Sequence, residues 1–247
     1  MAELCHKMRV LRAGGRYLKG REQRLWVALG LVVGVAAFGI ILAASGDGAS
    51  RWAGGAAALG VLPLGASIAR RLASVRKGRL GERLVAELLR RLPDDYWLIN
   101  DITLGRTRGN IDHVLIGPCG VVVIETKRLA GRIRCWGDEW FVNGYRRKSI
   151  SRQVNSGACA VRYFLIERYY DLAPRWVESI VVFTHPLCRL EVNWPRTTVV
   201  RYSELLQVVL ELAKKHRMTP ATAARLAESL VASQPEAGVA RDARDRP

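Results

Sequence analysis

Hydrophobic and polar positions follow two regimes along the chain. Residues 25–44, LWVALGLVVGVAAFGIILAA, carry no charge, and these 20 residues match the length of a helix that crosses a bilayer. A second uncharged stretch, residues 52–69, is richer in Gly and Ala and contains Pro63. Small residues let membrane helices approach closely, so the two stretches are expected to form a transmembrane hairpin. Beyond Gly78 charged and apolar residues are mixed, and helix and strand signals alternate.

Within residues 81–92, Leu84, Val85, Leu88, Leu89 and Leu92 recur at helical spacing. Residues 96–102, 111–116 and 120–126 read as strands, β-branched and bounded by Gly, Pro and Asn. A meander follows, with Gly137-Asp138 and Asn143-Gly144 as its turns. Residues 151–169 form a helix with Val154, Ala158, Val161 and Leu165 on one face; 179–184 and 197–200 are strands, and 203–214 a helix. Thr219 as N-cap and Pro220 at the first helical position open a last helix. The chain therefore divides into a basic segment (1–24), two spans (25–44 and 52–69), a basic linker (70–77), a soluble domain (78–215), a C-terminal helix (216–233) and a polar, disordered tail (234–247).

Charge adds orientation. The formal net charge is +17, from 39 Lys and Arg against 22 Asp and Glu, which favours polyanionic partners such as nucleic acid or anionic lipid. Lys7, Arg9, Arg12, Arg16, Lys19, Arg21 and Arg24 precede the first span. Arg70, Arg71, Arg76, Lys77, Arg79 and Arg83 follow the second, and only Arg51 lies at the connecting loop. By the positive-inside rule both termini and the soluble domain are cytoplasmic, at a cell membrane crossed twice. The apolar core of the first span is longer than that of a signal peptide. Five scattered cysteines, with no C-x-x-C pair, point to neither a zinc site nor a disulfide framework.

The chemistry-bearing segment is residues 110–127. If 117–120 is a hairpin turn, paired residue numbers sum to 237, so Asp112 faces Glu125 and Asn110 faces Lys127. Side chains alternate at period two, which puts Asp112, Glu125 and Lys127 on one sheet face. Opposed like charges on adjacent strands are unfavourable without a compensator. A divalent cation such as Mg²⁺ or Mn²⁺ is one; Lys127 as a plain ion-pair partner is another. Pro118-Cys119 is not a favoured two-residue turn, which leaves the register open.

Glu82 borders the apolar stripe of its helix and either reaches this site or stays solvated in the first turn. Gln153 starts the helix after the meander, as a phosphate or water ligand or as a surface residue. Arg106, Arg108, Arg132, Arg134, Arg146, Arg147 and Lys148 surround the site as candidate nucleic-acid contacts, or as a solvated basic face. Trp136 and Trp140 either stack bases or pack the meander. His113 points to the other sheet face as a core histidine, and His185 has no zinc-like spacing.

Taken together, Gly81-Glu82, Gly109-Asn110-Ile111-Asp112-His113, Gly117-Pro118-Cys119-Gly120, Ile124-Glu125-Thr126-Lys127 and Gln153 resemble the NERD, or nuclease-related, domain over roughly residues 78–190. That family is similar to the PD-(D/E)XK nucleases. The resemblance implies an α/β, restriction-endonuclease-like fold with a mixed central sheet flanked by helices, and Mg²⁺-dependent phosphodiester cleavage. It implies Asp112 and Glu125 as metal ligands, Lys127 as the catalytic lysine, and Glu82 and Gln153 as accessory. Relatives with a Q-x-x-x-Y signature carry an aromatic where this chain has Gly157. The expected function is a membrane-anchored, metal-dependent nuclease acting on DNA; the rivals are a binding or scaffold module without turnover and a membrane assembly factor.

Overall fold

The structure, a computed structural model, describes residues 8–12, 16–105 and 109–234. One compact unit is Arg16–Leu80, and the other combines Met1–Gly15 with Gly81–Pro247.

The first unit is helical. Helix α1 spans Arg16–Ser45, α2 Gly48–Gly60, and α3 begins at Leu62 and continues to Leu89. Two helices are long and apolar enough to cross a membrane, Leu18–Ser45 and Gly48–Leu89. Helices α1 and α2 meet backbone to backbone at Gly39 and Gly54. A Cβ on Gly39 would lie 2.7 Å from the Gly54 carbonyl oxygen, and one on Gly54 2.5 Å from that of Gly39. Only glycine permits this approach. Val27, Leu31, Phe38, Ile40 and Ile41 are left exposed, unlike the residues of a soluble core helix.

Two expectations change here. The stretch 52–69 is interrupted at Val61, and Pro63 sits in the first turn of α3, where its missing N–H costs no helical bond. The basic stretch 70–77 is helical rather than a linker, because RRLASVRK contains no helix breaker. Arg76 and Arg79 both bind the carboxylate of Glu22 on α1.

The second unit is a mixed sheet flanked by helices. Its strands are β1 (Arg9–Arg12), β2 (Trp97–Ile102), β3 (Ile111–Gly117), β4 (Gly120–Lys127), β8 (Glu178–Phe183) and β10 (Thr198–Arg201), in the order β1-β2-β3-β4-β8-β10. The β2-β3-β4 pairs are antiparallel; β1 with β2, β4 with β8, and β8 with β10 are parallel. Strand β1 falls in the stretch read as a basic tail. RVLR is too short and too charged to announce a strand, and it forms because β2 offers an edge: Arg9 pairs with Trp97 and Val10 with Leu98.

Val114, Ile116, Val121 and Val123 pack on one face against α4 (Ile150–Arg168) and α6 (Pro220–Ala232). Leu115, Val122 and Ile124 pack on the other against Val85, Leu88 and Leu89 of α3 and against α5 (Leu205–His216). Both faces are covered, so the central strands read as continuous apolar runs.

The meander does not extend this sheet. Strands β5 (Gly131–Trp136), β6 (Glu139–Val142) and β7 (Tyr145–Arg147), with β9 (Cys188–Asn193), form a separate sheet in the order β7-β6-β5-β9. Gly137, at φ 58°, occupies the first central position of one turn. Asn143 and Gly144, at φ 50° and 85°, fill both central positions of the next, as primed hairpin turns require. Its inner face is fixed by Trp140, which is fully buried, donates to Ser151 Oγ at 2.9 Å and stacks on Phe183.

Candidate functional site

The β3–β4 hairpin has the register that sums to 237, from Gly117 opposite Gly120 to His113 opposite Ile124. The unfavourable Pro118-Cys119 pair is accommodated because Gly120, at φ 81°, takes the left-handed conformation instead. Past His113 the strands part. Ile111 stays paired to Ile102 of β2, while Glu125, Thr126 and Lys127 stay paired to Val181, Val182 and Phe183 of β8. Three charged residues gather at this fork. Asp112 Oδ2 accepts the Thr126 amide at 2.8 Å, taking the role that a strand carbonyl would have had.

Glu125 is buried, and its Oε1 accepts from Lys127 Nζ at 2.5 Å and from Gln153 Nε2 at 2.7 Å. Gln153 Oε1 accepts from Lys127 Nζ at 3.0 Å. The amide thus grips carboxylate and ammonium together, from the first turn of α4, where Ser149 Oγ caps the Arg152 amide.

Glu82 comes from the other side of the sheet. A Cβ on Gly81 would lie 3.0 Å from Thr184 Oγ1, 3.1 Å from Thr126 Cγ2 and 3.2 Å from Arg128 Cβ, so α3 crosses the end of β4 at a distance that favours glycine. The neighbouring Glu82 is then close enough for its charge to act on Asp112.

Burial raises the pKa of Asp112 well above the ordinary range, and the charges of Glu125 and Glu82 push it further; the Thr126 amide and Lys127 oppose them. Glu125 is raised by burial, against the pull of Lys127 and Gln153. Two desolvated carboxylates are hard oxygen donors, the ligand type that a hard divalent cation takes.

Asn110 does not face Lys127. The strands have already separated, and Asn110 instead lines a cavity of about 220 Å³ with Glu125, Gln153 and Gly157. A Cβ on Gly157 would meet Ile111 and Val123 at 3.4 and 3.5 Å, so the position tolerates a small side chain. On the opposite face His113 is buried, its Nδ1 lies 2.6 Å from Asn100 Oδ1, and burial lowers its pKa to about 3. His185 accepts the Leu187 amide on Nδ1.

Arg132 and Arg134 lie on the exposed face of β5; Arg146 and Arg147 are exposed on β7, followed by Lys148, while Arg106 and Arg108 lie outside the described residues. Arg132 pairs with Glu191 and Arg146 with Glu139. The Thr126 amide escaped sequence reasoning because a backbone donor has no residue-type signature.

Comparison with known proteins falls on the segment that contains the fork. Residues 77–184 match the family described as NERD, nuclease-related domain. All five residues Glu82, Asp112, Glu125, Lys127 and Gln153 lie inside the NERD match. An uncharacterized protein of Bacillus anthracis is 37% identical over 81 residues, covering 30% of this chain and 37% of that protein. The alignment therefore spans little more than a third of that relative's length. No solved structure matches the chain.

Proposed function

We propose that the chain is a membrane-anchored, metal-dependent nuclease-like protein that hydrolyses phosphodiester bonds of DNA, on a restriction-endonuclease-like fold. One observation carries the reading: Asp112, Glu125, Lys127 and Gln153 converge at a strand fork within the NERD match. Asp112 and Glu125 would hold Mg²⁺ or Mn²⁺, with Glu82 adding negative charge. When bound, the ion would polarise the phosphodiester and acidify a coordinated water. Lys127, held by Glu125 and Gln153, presents protons to a phosphate oxygen or orients the attacking water. Gln153 acts through Lys127 as a positioning residue.

The anchor is the helical unit. Its exposed Val27, Leu31, Phe38, Ile40 and Ile41 favour lipid, and the flanking basic residues support a topology with both termini and the fork in the cytoplasm.

A second reading has its own observation. Among the described residues no group of three or more His, Cys, Asp or Glu side chains is placed to hold a metal, and Lys127 is already paired with Glu125. A module that binds nucleic acid without turnover fits that arrangement.

The full chain in detergent, incubated with plasmid or linear DNA and Mg²⁺ or Mn²⁺, separates the two. Cleavage that falls about 100-fold or more in Lys127→Ala is the expected outcome. Uncut substrates would favour the inert module, and equal cleavage by the variant would overturn the role assigned to Lys127.

A further inference from the structure

The outer face of the β7-β6-β5-β9 sheet has a composition that packing does not explain. Along β5, Arg132, Arg134 and Trp136 point outward, alternating with the buried Ile133 and Cys135. Trp136 is 58% exposed, yet its ring contacts Trp194 edge to face, with centroids 5.1 Å apart and planes at 74°. Trp194 is itself 76% exposed and sits at φ 47°, a left-handed conformation that a bulky side chain rarely adopts. Such strain persists where surrounding structure imposes it, and it clusters at functional positions. Here it sets a large indole beside a second one without burying either. The Arg134 guanidinium of β5 lies 5.5 Å from the ring centroid of Phe141 on the neighbouring β6.

We infer that this face is a stacking platform for single-stranded nucleic acid, with Trp136 and Trp194 taking bases and Arg134 taking phosphates. Unpaired bases offer flat π-faces to exposed aromatics, and cationic side chains between the rings track the backbone; this combination binds single strands with little sequence preference. A duplex hides its base faces and gives the indoles nothing to stack on. Chain continuity favours nucleic acid over the other polyanion that Trp and Arg commonly meet, an anionic lipid surface. Strand β5 starts four residues after Lys127, and β6 is fixed through Trp140 to Ser151, the second residue of α4 and two residues before Gln153. The inference rests on the proposed nucleic-acid substrate for its choice of ligand but requires no catalysis.

The test is a fluorescence titration of the full chain, in phosphatidylcholine nanodiscs with EDTA present, against an oligothymidylate. Trp194→Gly is the informative variant, because glycine relieves the left-handed strain and removes the ring. It should unfold at the same or a higher temperature than wild type, yet bind the oligonucleotide about 5- to 100-fold more weakly. Equal binding by wild type and variant overturns the platform. So does an emission shift produced by phosphatidylglycerol in the disc rather than by the oligonucleotide, which would assign the rings to the membrane surface. Ring-dependent binding in EDTA, with no cleavage by wild type in Mg²⁺, would refute the nuclease reading and leave the platform standing; cleavage without ring-dependent binding would do the reverse.

Discussion

At one end of the β3–β4 hairpin Ile116 faces Val121 and Leu115 faces Val122, all buried, and the backbone ladder runs to the turn. At the other end the ladder stops at His113 and Ile124, each strand follows its outer neighbour, and a carboxylate replaces a carbonyl as acceptor. The apolar end sets the register; the forked end spends it. Asp112 and Glu125 are held near each other because the five residue pairs between them, His113–Ile124 to Gly117–Gly120, cannot slip without moving buried side chains to the wrong face.

Breaking the closed end should have the largest effect. Leu115→Ala removes a fully buried side chain and should cost about 2–5 kcal/mol, read as a lower denaturant midpoint of the full chain in detergent. If the variant unfolds like wild type, the closed end does not anchor the hairpin.

The next effect sharpens the role of the fork. Gly81→Val crowds Thr126, Thr184 and Arg128, should cost roughly 1–3 kcal/mol, and should displace Glu82 from Asp112. Gly81→Ala is the milder control. Cleavage should fall more steeply than stability across the pair; a parallel decline would make Gly81 a packing residue only.

Adjacent residues on opposite faces give a smaller contrast, visible in pH dependence. Asp112 is raised in the folded state, so its contribution to stability is lost as pH rises from the ordinary carboxylate range through the folded pKa. Asp112→Asn keeps an acceptor for the Thr126 amide and should be more stable than wild type at pH 8, with the difference vanishing at low pH. His113 is lowered to about 3, so its contribution is complete above about pH 6.5 and is lost as pH falls toward 3. His113→Leu should flatten that acid limb. Midpoints between pH 3 and 8 check both signs, and a steeper fall of the Asn variant at pH 8 would contradict the electrostatic assignment.

Much of the site was legible in the sequence because period-two alternation turns spacing into geometry. Asp112, Glu125 and Lys127 were placed on one face by counting from a turn, and the observed ladder has that register. What the count could not contain is the fork, since Ile111 is held by β2 and Thr126 by β8, both outside the hairpin. Asn110 was misplaced for that reason. Glu82 was ambiguous because its position depends on Gly81 meeting Thr126 and Thr184, a contact between elements. The six-stranded sheet was readable in its apolar strands, whereas β1 and β9 were missed: RVLR and CRLEVN carry charged or polar residues and exist by pairing with β2 and β5. Trp136 and Trp140 have similar sequence surroundings and opposite fates, one exposed and one buried, fixed by the bond from Trp140 to Ser151.

The central claim is that the forked end holds a divalent cation between its opposed carboxylates. Mn²⁺ binding to the full chain, followed by electron paramagnetic resonance, tests it without requiring turnover. The account predicts a bound ion in wild type that is retained in Lys127→Ala and lost in both Asp112→Asn and Glu125→Gln. Equal Mn²⁺ binding in wild type and the two carboxylate variants, or none in any of them, would contradict it.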